Sequence, residues 1–159
     1  MTELAYLHPM LVHFPLALMP LVVLLQIVGL IRGVPLFGRD CLARSLWWLT
    51  LAAALGALAA ALLGDPALDI AVERGFPEAK LEDHEALGQT SAGLMLALAF
   101  IHGLLYLRQT PSRGGPGLTL LIVSSGILLI LLTTAFYGGN LVYALGVNVV
   151  PALPGSGVQ

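Results

Sequence analysis

Long stretches without a single Asp, Glu, Lys or Arg constrain this chain more than any other feature. Residues 4–31, 45–64 and 86–107 carry no formal charge, and nothing after Arg113 does. About 20 apolar residues take a helix across the hydrocarbon core of a bilayer, so each run is long enough to span. Composition agrees, with 58% hydrophobic and 10% charged residues among 159, outside the range of soluble domains of this size. The expected fold class is all-α: an integral membrane four-helix bundle forming a single transmembrane domain over 1–159. The helices are expected near 9–31, 43–64, 84–108 and 117–137, followed by an apolar tail at 138–159. "PSRGGPG" punctuates the start of the fourth helix and "YGGN" its end.

Charge placement orients the bundle. Arg32, Arg39 and Arg44 lie between helices 1 and 2, and Arg108 and Arg113 between helices 3 and 4. The connection between helices 2 and 3 carries Asp65, Asp69, Glu73, Glu78, Glu82, Asp83 and Glu85 against Arg74 and Lys80. The positive-inside rule puts the arginine loops in the cytoplasm and both termini, with the acidic loop, on the extracytoplasmic side. The opening "MTELAY" lacks a basic n-region and a small-residue cleavage site, so the first helix is expected to be retained. Cys41 is the only cysteine, which leaves neither a disulfide framework nor a cysteine metal site within one chain.

Lipid offers helices no hydrophobic gain on association, so small residues that allow close backbone approach become the usual packing device. Gly56, Ala60 and Gly64 share one face of helix 2, and helix 3 repeats the spacing with Gly88 and Ala92, then Gly93 and Ala97. Pro15 and Pro20 cannot donate to the carbonyls of Leu11 and Leu16, which predicts a kink or a broken first turn. No repeat with a period of 20–50 residues emerges, and the two helical hairpins share length but no motif. "PALDIAVERGF" reads either as a surface amphipathic helix or as plain loop.

All four histidines fall in or beside these spans, where ionisable groups are costly and usually face the bundle interior or water. By the topology above, His8, His13 and His84 share the outer end. His84 and His102 are 18 residues apart on one helical face with Gly88, Ser91 and Met95 between them, which separates them by about 27 Å and forbids a shared centre. The functional reading has His13 and His84 clamp a haem b or a metal ion, with Gly88 and Ser91 leaving room for a flat macrocycle. His8 joins them as a third candidate metal ligand, and copper or zinc are the alternatives to haem. The plainer reading makes His8 and His84 interfacial and has His13 bond a carbonyl freed by proline. Glu82, Asp83 and Glu85 either support His84 or complement the dipole of helix 3, with Asp83 as a cap.

"LHPMLVHFPLALMPL" at 7–21, a small-residue second helix closing with "GDP", a histidine opening the third helix and "GGNLVYALGV" at 138–147 together resemble the bacterial membrane family catalogued as domain of unknown function 2231. The positions that match are His8, Pro9, His13, Phe14, Pro15, His84, Gly138, Gly139 and Tyr143. The resemblance implies four membrane helices in a bacterial cytoplasmic membrane. Some relatives are joined to Rieske-type or cytochrome c domains, which implies company with respiratory electron transfer on the outer face. Where relatives commonly have histidine in the closing segment, this chain has Leu145, and Asn148 replaces a usual glycine.

Three functions compete. The first is a redox subunit exchanging electrons with a periplasmic protein, Rieske-type or cytochrome c, or with a quinone. The second is a cofactor-free anchoring subunit of a larger membrane complex. The third is a proton-coupled transporter, weakened by the absence of any acidic residue beyond the first turn of a predicted span and of an inverted repeat. No nucleophile with a base, phosphate loop or zinc protease motif points to an enzyme, and nothing points to nucleic acid.

Overall fold

The protein, as a computed structural model, is described for residues 7–109, 115–147 and 149. Arg113, Asn148 and all of the tail after 149 lie outside the described residues. Helix α1 covers Leu7–Leu11, α2 His13–Ile31, α3 Cys41–Glu73, α4 Glu82–Leu107 and α5 Gly115–Tyr143, with a short 3-10 turn at Glu78–Lys80. Four spans result, because α1 and α2 together form Leu7–Ile31, and all four are long and apolar enough to cross a membrane.

Proline explains the division of the first span. Pro15 has no N–H for the Leu11 carbonyl, and the helix loosens at Val12, although Val12 N still donates to His8 O and Leu16 N to Val12 O. Pro20, deeper in the span, leaves α2 unbroken. Two boundaries differ from expectation. Helix α3 runs through Pro66 to Glu73, absorbing nearly half of the expected outer loop; its 33 residues make about 50 Å, well beyond a hydrocarbon core of about 30 Å. Helix α5 continues through Gly138 and Gly139 to Tyr143, six residues past its expected end at 137. The acids Glu82, Asp83 and Glu85 all lie in the first turn of α4, where they complement its dipole, while Leu81 rather than Asp83 is the N-cap.

Each span packs on its neighbours in sequence, and the first also packs on α5, closing the ring. The core layers Met19, Val22, Leu46, Ala53, Met95 and Leu120 between them, and Leu36 and Phe37 of the first connection fold up to join it. The Gly56–Ala60–Gly64 face packs against the first span: a Cβ on Gly56 would stand 3.0 Å from Phe14 Cβ, and one on Gly64 3.4 Å from His8 Cε1. Gly93 and Ala97 instead face outward and are exposed, and the close approach on α4 is at Gly103, where a Cβ would meet Trp47 Nε1 at 2.8 Å. Hydroxyls at membrane depth turn back on their own helices, Thr119 to Gly115 O and Thr133 to Leu129 O, which satisfies them without water.

The two hairpins, alike only in length by sequence, have the same buried pattern. Moving on by 76 positions carries Pro15, Met19, Val22 and Gln26 onto Ser91, Met95, Leu98 and His102, all buried. Moving on by 74 carries Ala43, Leu46, Thr50, Ala53, Ala57, Ala60 and Ala67 onto Gly117, Leu120, Ser124, Ile127, Leu131, Thr134 and Leu141, again all buried. The helix ends match as well, Ile31 with Leu107 and Cys41 with Gly115. Gly33 and Gln109, 76 apart and each the second residue past its helix, share a left-handed backbone with φ of 63° and 53°. Hydrogen bonds between spans repeat the relation: His8 to Ala60 pairs with His84 to Thr134, and Gln26 to Ser124 with His102 to Thr50. The bundle is therefore two parallel copies of one hairpin about a two-fold pseudo-axis along its length, a symmetry familiar among membrane proteins.

Candidate functional site: an imidazole pair at one end of the bundle

His8 lies in the first turn of α1 and His84 in the first turn of α4. The pseudo-axis brings them together, with ring centres 6.2 Å apart and planes at 88°. His8 Nδ1 donates to Ala60 O at 2.8 Å and His84 Nδ1 to Thr134 O at 3.1 Å. A carbonyl oxygen only accepts, so each Nδ1 carries a proton, and in the neutral imidazole each Nε2 keeps a lone pair.

The facing helices are built to receive these rings. Each acceptor carbonyl stands four residues before a glycine, Gly64 on α3 and Gly138 on α5. A helical side chain covers the turn N-terminal to its own Cα, so glycine at that position uncovers the carbonyl. The fit is tight at Gly138, where a Cβ would stand 2.7 Å from His84 Cε1, and easier at Gly64, where it would stand 3.4 Å from His8 Cε1.

Both imidazoles line a cavity of about 500 Å³ at this end of the molecule. Apolar residues such as Leu16, Ala57 and Leu131 form its walls, and Asp65, Arg74, Glu85 and Gln89 supply charge and polarity. All the residues singled out by sequence reach it: His8, His13, His84, Gly88 and Ser91. Their arrangement separates them. The imidazole in contact with His84 is that of His8; His13 is exposed, and its Nδ1 bonds the carbonyl of Pro9, one turn back on its own span. A Cβ on Gly88 would touch nothing, so the wall there is open. Ser91 is buried and donates to Thr134 Oγ1 at 3.0 Å, whose own proton goes to Ile130 O. Among the described residues no group of three His, Cys, Asp or Glu can hold a metal ion. Leu145 is exposed and outside the cavity lining.

Sequence reasoning missed the carbonyl and glycine cradles. Their only trace is small residues four apart, Ala60 with Gly64 and Thr134 with Gly138, a spacing too common in membrane helices to single out a ligand pocket. His102 lies at the other end of the bundle, in contact with Phe37 and Thr50.

Neither a curated protein nor a solved structure matches this chain. The HPxxVHFP run, the glycine-seated histidines and the four apolar spans all fall within residues 5–151, which match the family model DUF2231, described as a predicted membrane protein; the chain belongs to that family.

Proposed function

We propose that His8 and His84 would together hold one haem b, and that the protein is an electron-transfer subunit of the bacterial cytoplasmic membrane. The observation that carries this reading is the pair itself: two imidazoles from different hairpins, each fixed by an Nδ1–H bond to a backbone carbonyl, with both Nε2 lone pairs uncommitted beside a cavity. Ligand histidines characteristically donate their other ring N–H to such a carbonyl or carboxylate. Their ring centres stand 6.2 Å apart, close enough for both imidazoles to serve one bound group.

The donor count favours haem over zinc or copper. Zinc sites take three or four protein ligands, whereas haem brings four nitrogens of its own and asks the protein for two. When bound, haem supplies one-electron redox chemistry. The chain's own residues would hold the two imidazoles in one tautomer and exclude water with the apolar walls. The arginine distribution supports an N-out, C-out orientation, which puts the pair near the outer leaflet, within reach of a periplasmic Rieske-type or cytochrome c domain or of a quinone.

The cofactor-free anchoring reading draws on the same ring contact, because two imidazoles bonded to the opposite helix of their own hairpins and touching one another join the hairpins without a ligand. A dithionite-reduced minus oxidised spectrum of the purified protein from a haem-replete host separates the two. A Soret band with a reducible α-band supports haem; a folded, colourless, metal-free preparation leaves the anchor.

A further inference from the structure

The repeat supplies an internal control, because equivalent positions of the two hairpins meet the same demands of packing. Where they agree in burial and differ in chemistry, something other than the fold has set the difference. At the arginine end such a difference lies between α3 and α4. The shift of 74 carries Arg44, Trp47 and Trp48 onto Leu118, Leu121 and Ile122, and the shift of 76 carries Leu30 onto Tyr106. Arg44 and Trp48 are exposed like Leu118 and Ile122, and Trp47 and Tyr106 are half-buried like Leu121 and Leu30. Aliphatic side chains therefore suffice to complete the equivalent face of α5 and α2, whereas the α3–α4 face carries an arginine and three aromatic rings.

The rings form one platform. Trp47 stacks on Tyr106, with centres 5.0 Å apart and planes at 6°, and its ring centre lies 4.6 Å from that of Trp48. Gly103 provides the seat: a Cβ there would stand 2.8 Å from Trp47 Nε1, and its repeat mate is Ile27. Trp48 keeps 55% of its surface exposed, and Arg44 lies one turn before it on the same face of α3. Arg108, the C-cap of α4, follows Tyr106 by two residues and is exposed. At 1.5 Å per residue, Arg44 and Arg108 leave their helices about 5 Å and about 3 Å beyond the stacked pair, so both guanidinium groups start beside the platform. Among the described residues neither arginine forms an ion pair. Arg44 Nη2 donates to Arg39 O at 3.3 Å, which occupies one of about five guanidinium N–H donors. Asp40, the N-cap of α3, is the only acid in the connections at this end.

We infer that this face binds the headgroup of an anionic phospholipid, with Arg44 and Arg108 meeting its phosphate and Trp48 and Tyr106 seating the glycerol and the upper acyl chains. The planar fork of arginine matches phosphate geometry, tryptophan and tyrosine settle at headgroup level, and basic pockets between membrane helices take acidic headgroups. Charge selects the occupant, because a zwitterionic headgroup brings its own cation to a place that already holds two. The site lies at the opposite end of the bundle from the His8–His84 pair and stands whether or not that pair holds haem.

Trp47 and Trp48 are the only tryptophans in the chain, so the site carries its own reporter. The test reconstitutes the protein in phosphatidylcholine vesicles with a minor share of phosphatidylglycerol, brominated on the acyl chains of one lipid at a time. Dividing the fluorescence by that in unbrominated vesicles of the same composition cancels quenching from within the protein. Brominated phosphatidylglycerol is expected to quench several-fold more per mole than brominated phosphatidylcholine. Arg44→Gln and Arg108→Gln are each expected to lower that preference, by up to about fivefold. Arg32→Gln, at the repeat mate of Arg108 on the aliphatic face, is expected to leave it unchanged. Equal quenching by the two lipids in the wild-type protein, which needs no variant to fold, overturns the site. A preference that survives both Arg44→Gln and Arg108→Gln, or that falls as far with Arg32→Gln, overturns it as well.

Discussion

Replacing Gly138 by alanine tests the imidazole cradle against its own counterpart at Gly64. At Gly138 the new Cβ would stand 2.7 Å from His84 Cε1, against 3.4 Å from His8 Cε1 at Gly64. The first distance is about 0.7 Å short of the second, so His84 must retreat by about that amount. Its bond to Thr134 O, already 3.1 Å, then stretches beyond hydrogen-bond range. Losing that bond costs about 1 kcal/mol and overpacking about 1–3 kcal/mol, while alanine returns up to about 1 kcal/mol in helix propensity. The net for Gly138→Ala is a loss of about 1–3 kcal/mol, or roughly 2–12 °C in Tm for a chain of this size. Gly64→Ala meets ordinary van der Waals contact and is expected to change stability by less than about 1 kcal/mol, in the stabilising direction. Thermal unfolding of both variants in the same detergent reads the contrast. Equal shifts, or a larger loss at Gly64, would refute the cradle argument.

Three further outcomes follow from the geometry. Gln109 sits at φ 53° where its repeat mate is Gly33, so Gln109→Gly is expected to stabilise the fold by about 0.5–1 kcal/mol and Gly33→Ala to destabilise it by about 1 kcal/mol in denaturant or thermal unfolding; the opposite signs would contradict the shared turn. Cys41, the only cysteine, is exposed, so a membrane-impermeant maleimide should label it in inverted vesicles and leave it unlabelled on intact spheroplasts; the reverse pattern would invert the proposed topology. Because the two imidazole planes stand at 88°, the oxidised haem protein should give the large-g-max low-spin EPR signal of perpendicular axial rings, and a rhombic signal from parallel rings would contradict this pair geometry.

Four spans and the histidine-bearing end were legible in the sequence because uninterrupted apolar length and ionisable residues at membrane depth are local properties. Helix ends were harder. Pro66 and the Gly138–Gly139 pair read as terminators, yet α3 and α5 run through them. Local propensity marks where a helix can stop, whereas packing decides whether it does: Ala67, Ala71 and Leu141 beyond those residues are buried. The choice between His8 and His13 depended on how the first turn breaks around Val12, which places His8 over Gly64 and leaves His13 exposed. The repeat was hidden because equivalent positions share burial rather than residue type, as Pro15 with Ser91 or Ala53 with Ile127. His8 with His84, Met19 with Met95, Arg32 with Arg108 and Gly64 with Gly138 preserve identity at chemically distinctive places, too few to stand out in apolar sequence.

The central claim is that His8 and His84 act as one ligand pair, and single substitutions read by the oxidised spectrum and haem content test it most directly. His8→Ala and His84→Ala are each expected to convert a six-coordinate low-spin haem to a five-coordinate high-spin form or to lose it, while His13→Ala keeps the wild-type spectrum. A His13→Ala variant that loses the low-spin haem while His8→Ala retains it would contradict the account.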